Sequence, residues 1–338
     1  GGTVDVGTNS LSGTFVSNTT VTTSSSGTFV FAARGSSSSS YSDTRTVSVL
    51  VGGVSAPYII STAAPDVQPN AFVFTDTTNA TPATSYTSSQ ITLTGMSPNT
   101  SITATSTGGT IDLGTSSLSG TFAISKTATT SANGTLVLAA KGTSSTQYGN
   151  STPVAVNVGG VVSVYNITTQ VADIIPDVFT IDAAANTTPN TVYTSNTVTV
   201  TGLSAGISVV VTANNGTIDV GTSTLSGSFA TSNTVTTSGS GTFVFAAKGT
   251  SSSEYGKTSN VTVTINGISA VFNMNNAVAD INPNAFTFDN ITNASLGTSY
   301  TSNTVTLTGM SSNTLVTITA SGGTIDANTT SPLTGTFS

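Results

Sequence analysis

Four aspartates recur at a fixed step. The string Gly-Thr-(Val/Ile)-Asp begins at Gly2, Gly109, Gly216 and Gly323, so Asp5, Asp112, Asp219 and Asp326 are spaced by 107 residues. A second set, Asp66, Asp173 and Asp280, keeps the same step and precedes Pro69, Pro176 and Pro283. A hard cation such as Ca2+ wants several oxygen ligands, and carboxylates near domain junctions are natural sources of them. No Asp-x-Asp-x-Asp cluster and no bidentate Glu accompanies these residues. Calcium is therefore the weaker reading of all seven, and for Asp5, Asp112, Asp219 and Asp326 a turn aspartate that bonds its own backbone through an Asx-turn is the stronger.

The other chemistry-bearing residues are fewer still. Arg34, Lys141 and Lys248 occupy one position of the repeat. A lysine on a core strand near Asn and an acid can close an intramolecular isopeptide bond, but arginine cannot, so an ordinary ion pair or surface charge is expected there. Tyr41, Tyr148 and Tyr255 follow polar loops with no catalytic partner, and read as core or corner tyrosines with bonded hydroxyls. Twelve Asn-x-Ser/Thr sequons among 27 asparagines are about what a chain so rich in Ser and Thr produces by chance, so the count gives glycosylation no support. Glu254 is the only glutamate and aligns with Ser40 and Gln147, so no glycosidase-type carboxylate pair is kept between copies. With no His and no Cys there is no imidazole base, thiolate, structural zinc site or disulfide. We expect no catalytic residue, no cofactor and no enzyme.

Composition describes the surface that must surround these residues. Only 6% of the 338 residues are charged and 36% are hydrophobic, while Ser and Thr together fill about as large a share as all the hydrophobic residues. Thirteen acids against six bases give a net charge of −7, which repels nucleic acid and anionic membranes. No run approaches the length of a transmembrane helix. A hydroxyl-rich, nearly charge-free chain suits a β surface facing the outside world. It opens at Gly1 without a basic, apolar leader, so a secretion signal has been removed, lies outside this stretch, or never existed.

A period of 107 is a domain length, so the chain reads as tandem domains, each with its own core. Taking the Asp-x-x-Pro element as the start, complete modules cover 65–171 and 172–278. Residues 1–64 are then the C-terminal part of a module and 279–338 the N-terminal part of another. The length is three periods and a further 17 residues, which points to a stretch of a much longer repetitive polypeptide. Neighbouring copies differ and alternate ones agree: 65–171 shares Pro-Asn-Ala-Phe and Gly-Met-Ser with 279–338, whereas 172–278 shares Gly-Thr-Phe-Val-Phe-Ala-Ala with 1–64. Unlike neighbours are less prone to exchange strands during folding, although plain duplication of a two-module block explains the pattern equally well.

Each copy reads as strands. In 172–278 the runs Phe179-Thr180-Ile181, Val198-Thr199-Val200, Ile207 to Val211, Phe243-Val244-Phe245, Val261 to Ile265 and Ala270 to Met274 are β-branched or aromatic, several with period two. Asn214-Asn215-Gly216, Gly239 to Gly241 and Asn266-Gly267 are turn formers, and no stretch has a capped helical period. About seven short strands per copy is the pattern of an all-β, immunoglobulin-like sandwich. Without the Cys–Trp–Cys core, Phe179, Phe229, Phe245 and Phe272 are expected to fill it.

The elements Ala172-Asp173-x-x-Pro176, Ser195-Asn196-Thr197-Val198-Thr199-Val200-Thr201-Gly202, and Ser252-Ser253-x-Tyr255 leading to Val261 through Ala270 resemble the tandem Ig-like repeats of very large bacterial surface and secreted proteins. The resemblance spans the whole chain. It implies an extracellular, rod-forming or adhesive role and brings no catalytic residue with it. The leading expectation is thus a structural component of an extracellular filament or surface rod, self-associating or joined to further copies. The alternatives are an adhesin stalk or binding module recognising glycan or cell surface, and an S-layer lattice protein.

Overall fold

Val, Ile and Phe alternating with Thr and Ser can bury one face and wet the other only as strands, and strands are what this composition forms. The computed structural model describes residues 1–329 and 333–337, and it is all-β, with no helix among the described residues. Two compact units, Gly1–Val171 and Ala172–Ser338, divide the chain.

In the second unit a five-stranded sheet runs in the order Ala184–Thr187, Ile268–Asn276, Thr258–Ile265, Ser208–Asn214, Ser232–Thr236. Its first pair is parallel and the others are antiparallel. The facing four-stranded sheet is centred on Phe243–Thr250, which pairs with Val192–Thr194 and Val198–Val200 along one edge and Thr217–Gly221 along the other. The chain passes back and forth between the sheets after residues 187, 200, 214, 221, 236 and 250, giving the crossed connections of an immunoglobulin-like sandwich. Between the sheets lie Val200, Val211, Ile218, Phe243, Phe245, Val261, Val263, Ile265 and Phe272, each at most 1% exposed.

Residues 77–169 of the first unit repeat this design strand for strand, with Leu136–Thr143 as the central strand and Ile102, Leu136, Leu138, Tyr165 and Ile167 in the core. Before it, residues 1–64 form two antiparallel pairs, Thr3–Gly7 with Val30–Arg34 and Thr44–Val51 with Val54–Ser61. In the second unit the described residues of 279–338 contain turns and no strand, and Phe286 and Phe288 are about half exposed.

One expectation for the core fails, and one for a strand. Phe229 is only half-buried: it lies in the loop after Gly221, beneath the Lys248 ammonium at 4.8 Å, and Phe243 fills the core instead. Phe179, as expected, and Ile181 are buried, Thr180 between them is exposed, and the three form no ladder. The segment is tied by side chains, Asp182 N donating to Asn196 Oδ1 at 3.1 Å, so its apolar residues reach the core without strand pairing.

Candidate functional site: a buried aspartate that clasps a loop

Asp112 sits on the strand Thr110–Gly114 opposite Ala139; Ile111 and Leu113 on either side face the core, so Asp112 lies on the outer face of the sheet, where the following loop covers it to 0% exposure. Burying a carboxylate requires donors for both oxygens. They come from the loop ahead: Ser119 Oγ donates to Oδ1 at 2.9 Å and the Gly120 N–H to Oδ2 at 2.6 Å. Gly120 has a φ of 78°, the left-handed geometry that turns its N–H inward. The same clasp joins Asp5 to Ser12 and Gly13, Asp219 to Ser226 and Gly227, and Asp326 to Thr334 and Gly335. The Asx-turn expectation for these four is therefore corrected: their partners lie seven to nine residues ahead, across a loop.

Lys126 distinguishes one copy. Its Nζ lies 2.5 Å from Asp112 Oδ1, and it also donates to Ser119 Oγ at 2.9 Å and the Thr121 carbonyl at 2.7 Å. Thr19 and Asn233 stand at this position in the other copies. Burial pushes the Asp112 carboxyl up, but hydrogen bonds from Lys126, Ser119 and Gly120 and the Lys126 charge outweigh it, leaving the group below its ordinary value. At Asp5 burial likewise raises the carboxyl, and the bonds from Ser12 and Gly13 bring it below the ordinary value.

Asx-turns form instead at the junction aspartates, for which they were not expected. Asp66, Asp173 and Asp280 accept through Oδ1 from the backbone N–H of Gln68, Ile175 and Asn282. Each also donates its own N–H to a serine thirty-one residues ahead, Ser97, Ser204 or Ser311. The two aspartate sets stay apart, and no group of three His, Cys, Asp or Glu gathers among the described residues. What surrounds each clasped carboxylate is N–H and O–H, which present hydrogens where a cation would need lone pairs.

Of the two expectations for the basic position, surface charge is met and an ion pair, among the described residues, is not: Arg34 is exposed and Lys141 and Lys248 are half-buried. Lys141 and Lys248 lie 5.4 and 4.8 Å from the ring centres of Phe122 and Phe229, and Arg34 lies 5.6 Å from that of Phe15. Cation–π contact with a loop phenylalanine, and not an ion pair, is what the strand geometry delivers. A shallow depression of about 390 Å3 beside Lys141 is lined by Ser85, Thr110, Phe122 and Thr143 and by no carboxylate. Tyr41 is exposed, and Tyr148 and Tyr255 are half-buried. The bonded hydroxyls belong to other tyrosines. Tyr86, Tyr193 and Tyr300 accept from the backbone N–H of Thr81, Thr188 and Ser295, and Tyr165 bonds Thr77 Oγ1 at 2.6 Å. Glu254 lies exposed in a loop.

No family model matches the chain, and no curated protein does either. Among solved structures it is similar to a collagen adhesin from S. aureus, at 9% identity and a TM-score of 0.20 over 63% of this chain and 93% of that one. Surface layer protein SbsC, domains 4–9, is similar at 12% and 0.19, over 70% of this chain and 36% of the other. The I9–I11 tandem of titin is similar at 9% and 0.18, over 71% and 76%. At such scores the likeness says nothing of function. The immunoglobulin-like sandwich rests on its own strand pairings, and in those terms the chain resembles tandem Ig-like repeats.

Proposed function

We propose that this chain is a load-bearing stretch of an extracellular filament or surface rod, built from modules at 65–171 and 172–278 with parts of further modules at 1–64 and 279–338. The observation that carries the reading is how little chain is left unpinned between modules. Ala63 accepts from Ser42 N, and Asp66 N already bonds Ser97, so only Ala64 and Pro65 lie between. Likewise Ala277 N donates to Thr187 O and Asp280 N bonds Ser311, leaving Val278 and Ala279. Two residues, one of them Pro in the first case, permit little hinge motion and add almost no slack under tension. The chain as a whole carries few charges, and the chemistry that recurs in each copy is spent on a clasp, not on a cleft.

A chain of this kind unfolds under force module by module. Pulling on it should give two main events, each releasing roughly 330 Å, the extended length of one period less the folded module. Release in one step, or no measurable resistance, contradicts a load-bearing role. The assembly itself is read by electron microscopy of native material labelled with antibody to 172–278. Threads carrying label along their length support the proposal; a surface lattice or intracellular label overturns it.

A further inference from the structure

The two complete modules fill one sandwich with opposite distributions of bulk. In 65–171, Leu93 faces Leu136 and Ile91 faces Leu138 across the ladder. In 172–278 the same two pairs are Val200 with Phe243 and Val198 with Phe245. The strand from the front of the module has shrunk and the central strand has grown. A third position compensates: Phe74, 7% exposed, is replaced by Ile181 at 8%. The aromatic contacts move accordingly. Phe72 meets Phe74 edge-on at 6.0 Å and Phe74 in turn meets Tyr165 from the back at 6.1 Å, whereas Phe179, the counterpart of Phe72, meets Phe245 of the central strand edge-on at 5.5 Å.

Over these five positions the two modules bury nearly the same number of side-chain atoms. A crossed sandwich does not. The front of 65–171 with the back of 172–278 brings Phe74, Ile91 and Leu93 against Phe243 and Phe245, and the reverse cross brings Ile181, Val198 and Val200 against Leu136 and Leu138. Interiors are packed to crystal-like density, so the first cross is overfilled and the second leaves a void. The remaining cross-strand pairing is common to both modules in register, so backbone hydrogen bonding alone does not tell the halves apart.

We infer that residues 74, 91, 93, 136 and 138 in one module and 181, 198, 200, 243 and 245 in the next form a matching code that lets each front half share a sandwich only with a back half of its own type. The alternation of module types then keeps neighbours from exchanging halves while they fold in sequence.

Hydrogen exchange on the full chain tests the code, with Leu136–Thr143 as an internal reference for Phe243–Thr250. The back pair alone, Phe243→Leu with Phe245→Leu, and the front set alone, Ile181→Phe with Val198→Ile and Val200→Leu, should each speed exchange of Phe243–Thr250 roughly tenfold or more. All five together should bring it back to within about threefold of the parent, because coupled positions do not add. A five-fold variant as fast as the two sets combined, or one that does not fold, overturns the code. The five-fold chain, whose modules now carry the same type, should also give several-fold more interlinked or dimeric product on refolding from denaturant; a yield equal to the parent's shows that the code does not keep neighbours apart.

Discussion

Asp112→Ala should lower the stability of its sandwich by about 3 kcal/mol, the upper end of the range for leaving buried donors without their acceptor. The carboxylate is fully buried, and three donors converge on it. Removing it leaves the Gly120 N–H and the Ser119 hydroxyl without their acceptor, while Lys126 loses its carboxylate and keeps only Ser119 Oγ, the Thr121 carbonyl and water, so the loop that they hold is freed. Asp219→Ala should cost less, about 2 kcal/mol, because Asn233 stands where Lys126 does and no cation loses its carboxylate. Lys126→Asn reproduces that second arrangement. Its side chain is 20% exposed and reaches water, so the loss should stay near 1 kcal/mol. Calorimetry of the full chain separates the cases, and an unchanged transition in Asp112→Ala would remove the clasp as a source of stability.

The same carboxylate makes stability fall in acid. Its pKa in the folded chain lies below the ordinary value of 3.8, so the folded state binds the proton less readily than the unfolded state. The stabilisation is present above that value and is lost as the pH falls below it, through the folded pKa. Melting temperatures taken from about pH 6 downward should therefore drop more steeply for the parent than for Asp112→Ala in the most acid range.

How much of this was readable in the residues follows from what repeats and what does not. Alternation such as Val261-Thr262-Val263-Thr264-Ile265 marks a half-buried strand directly, and that stretch lies within Thr258–Ile265. The strand Thr217–Gly221 was harder to see. It carries Asp219 at its centre, and aspartate in a Gly-rich context reads as a turn unless its donors are known. Those donors, Ser226 and Gly227, belong to a loop of Ser, Thr and Gly without distinguishing pattern. Lys126 escaped for the opposite reason: the period drew attention to positions that recur, and Thr19 and Asn233 break the column. Phe243-Val244-Phe245 reads as a strand, but only the ladder shows that this strand is the central one and that the equally aromatic Phe229 stays in a loop. The alternation of module types was legible, but its physical content was not, since Leu for Phe at one site has no meaning until Leu93 and Val200 are seen opposite it.

Gly241→Ala should be among the most costly single methyl additions in the chain, at about 3 kcal/mol, and it has a control in the same module. Gly241 has a φ of 75° within a tight turn, where its N–H bonds Ser238 O at 3.0 Å and Ser238 N bonds Thr242 O at 2.8 Å. A Cβ there would overlap the Leu203 carbonyl, a backbone atom that cannot swing aside as a side chain would. Gly134 repeats the arrangement against Met96 O. Gly256 shares the left-handed geometry, with a φ of 68°, but faces open space. Alanine at Gly256 thus meets only the backbone penalty, about 1 kcal/mol. Alanine at Gly241 must add displacement of the front segment from the turn, a packing change worth about 2 kcal/mol more. The comparison isolates the contact by which the turn before the central strand locks onto the front of its own module. If the two variants melt at the same temperature, strain alone accounts for both glycines and the front segment is held by its core residues without help from the turn.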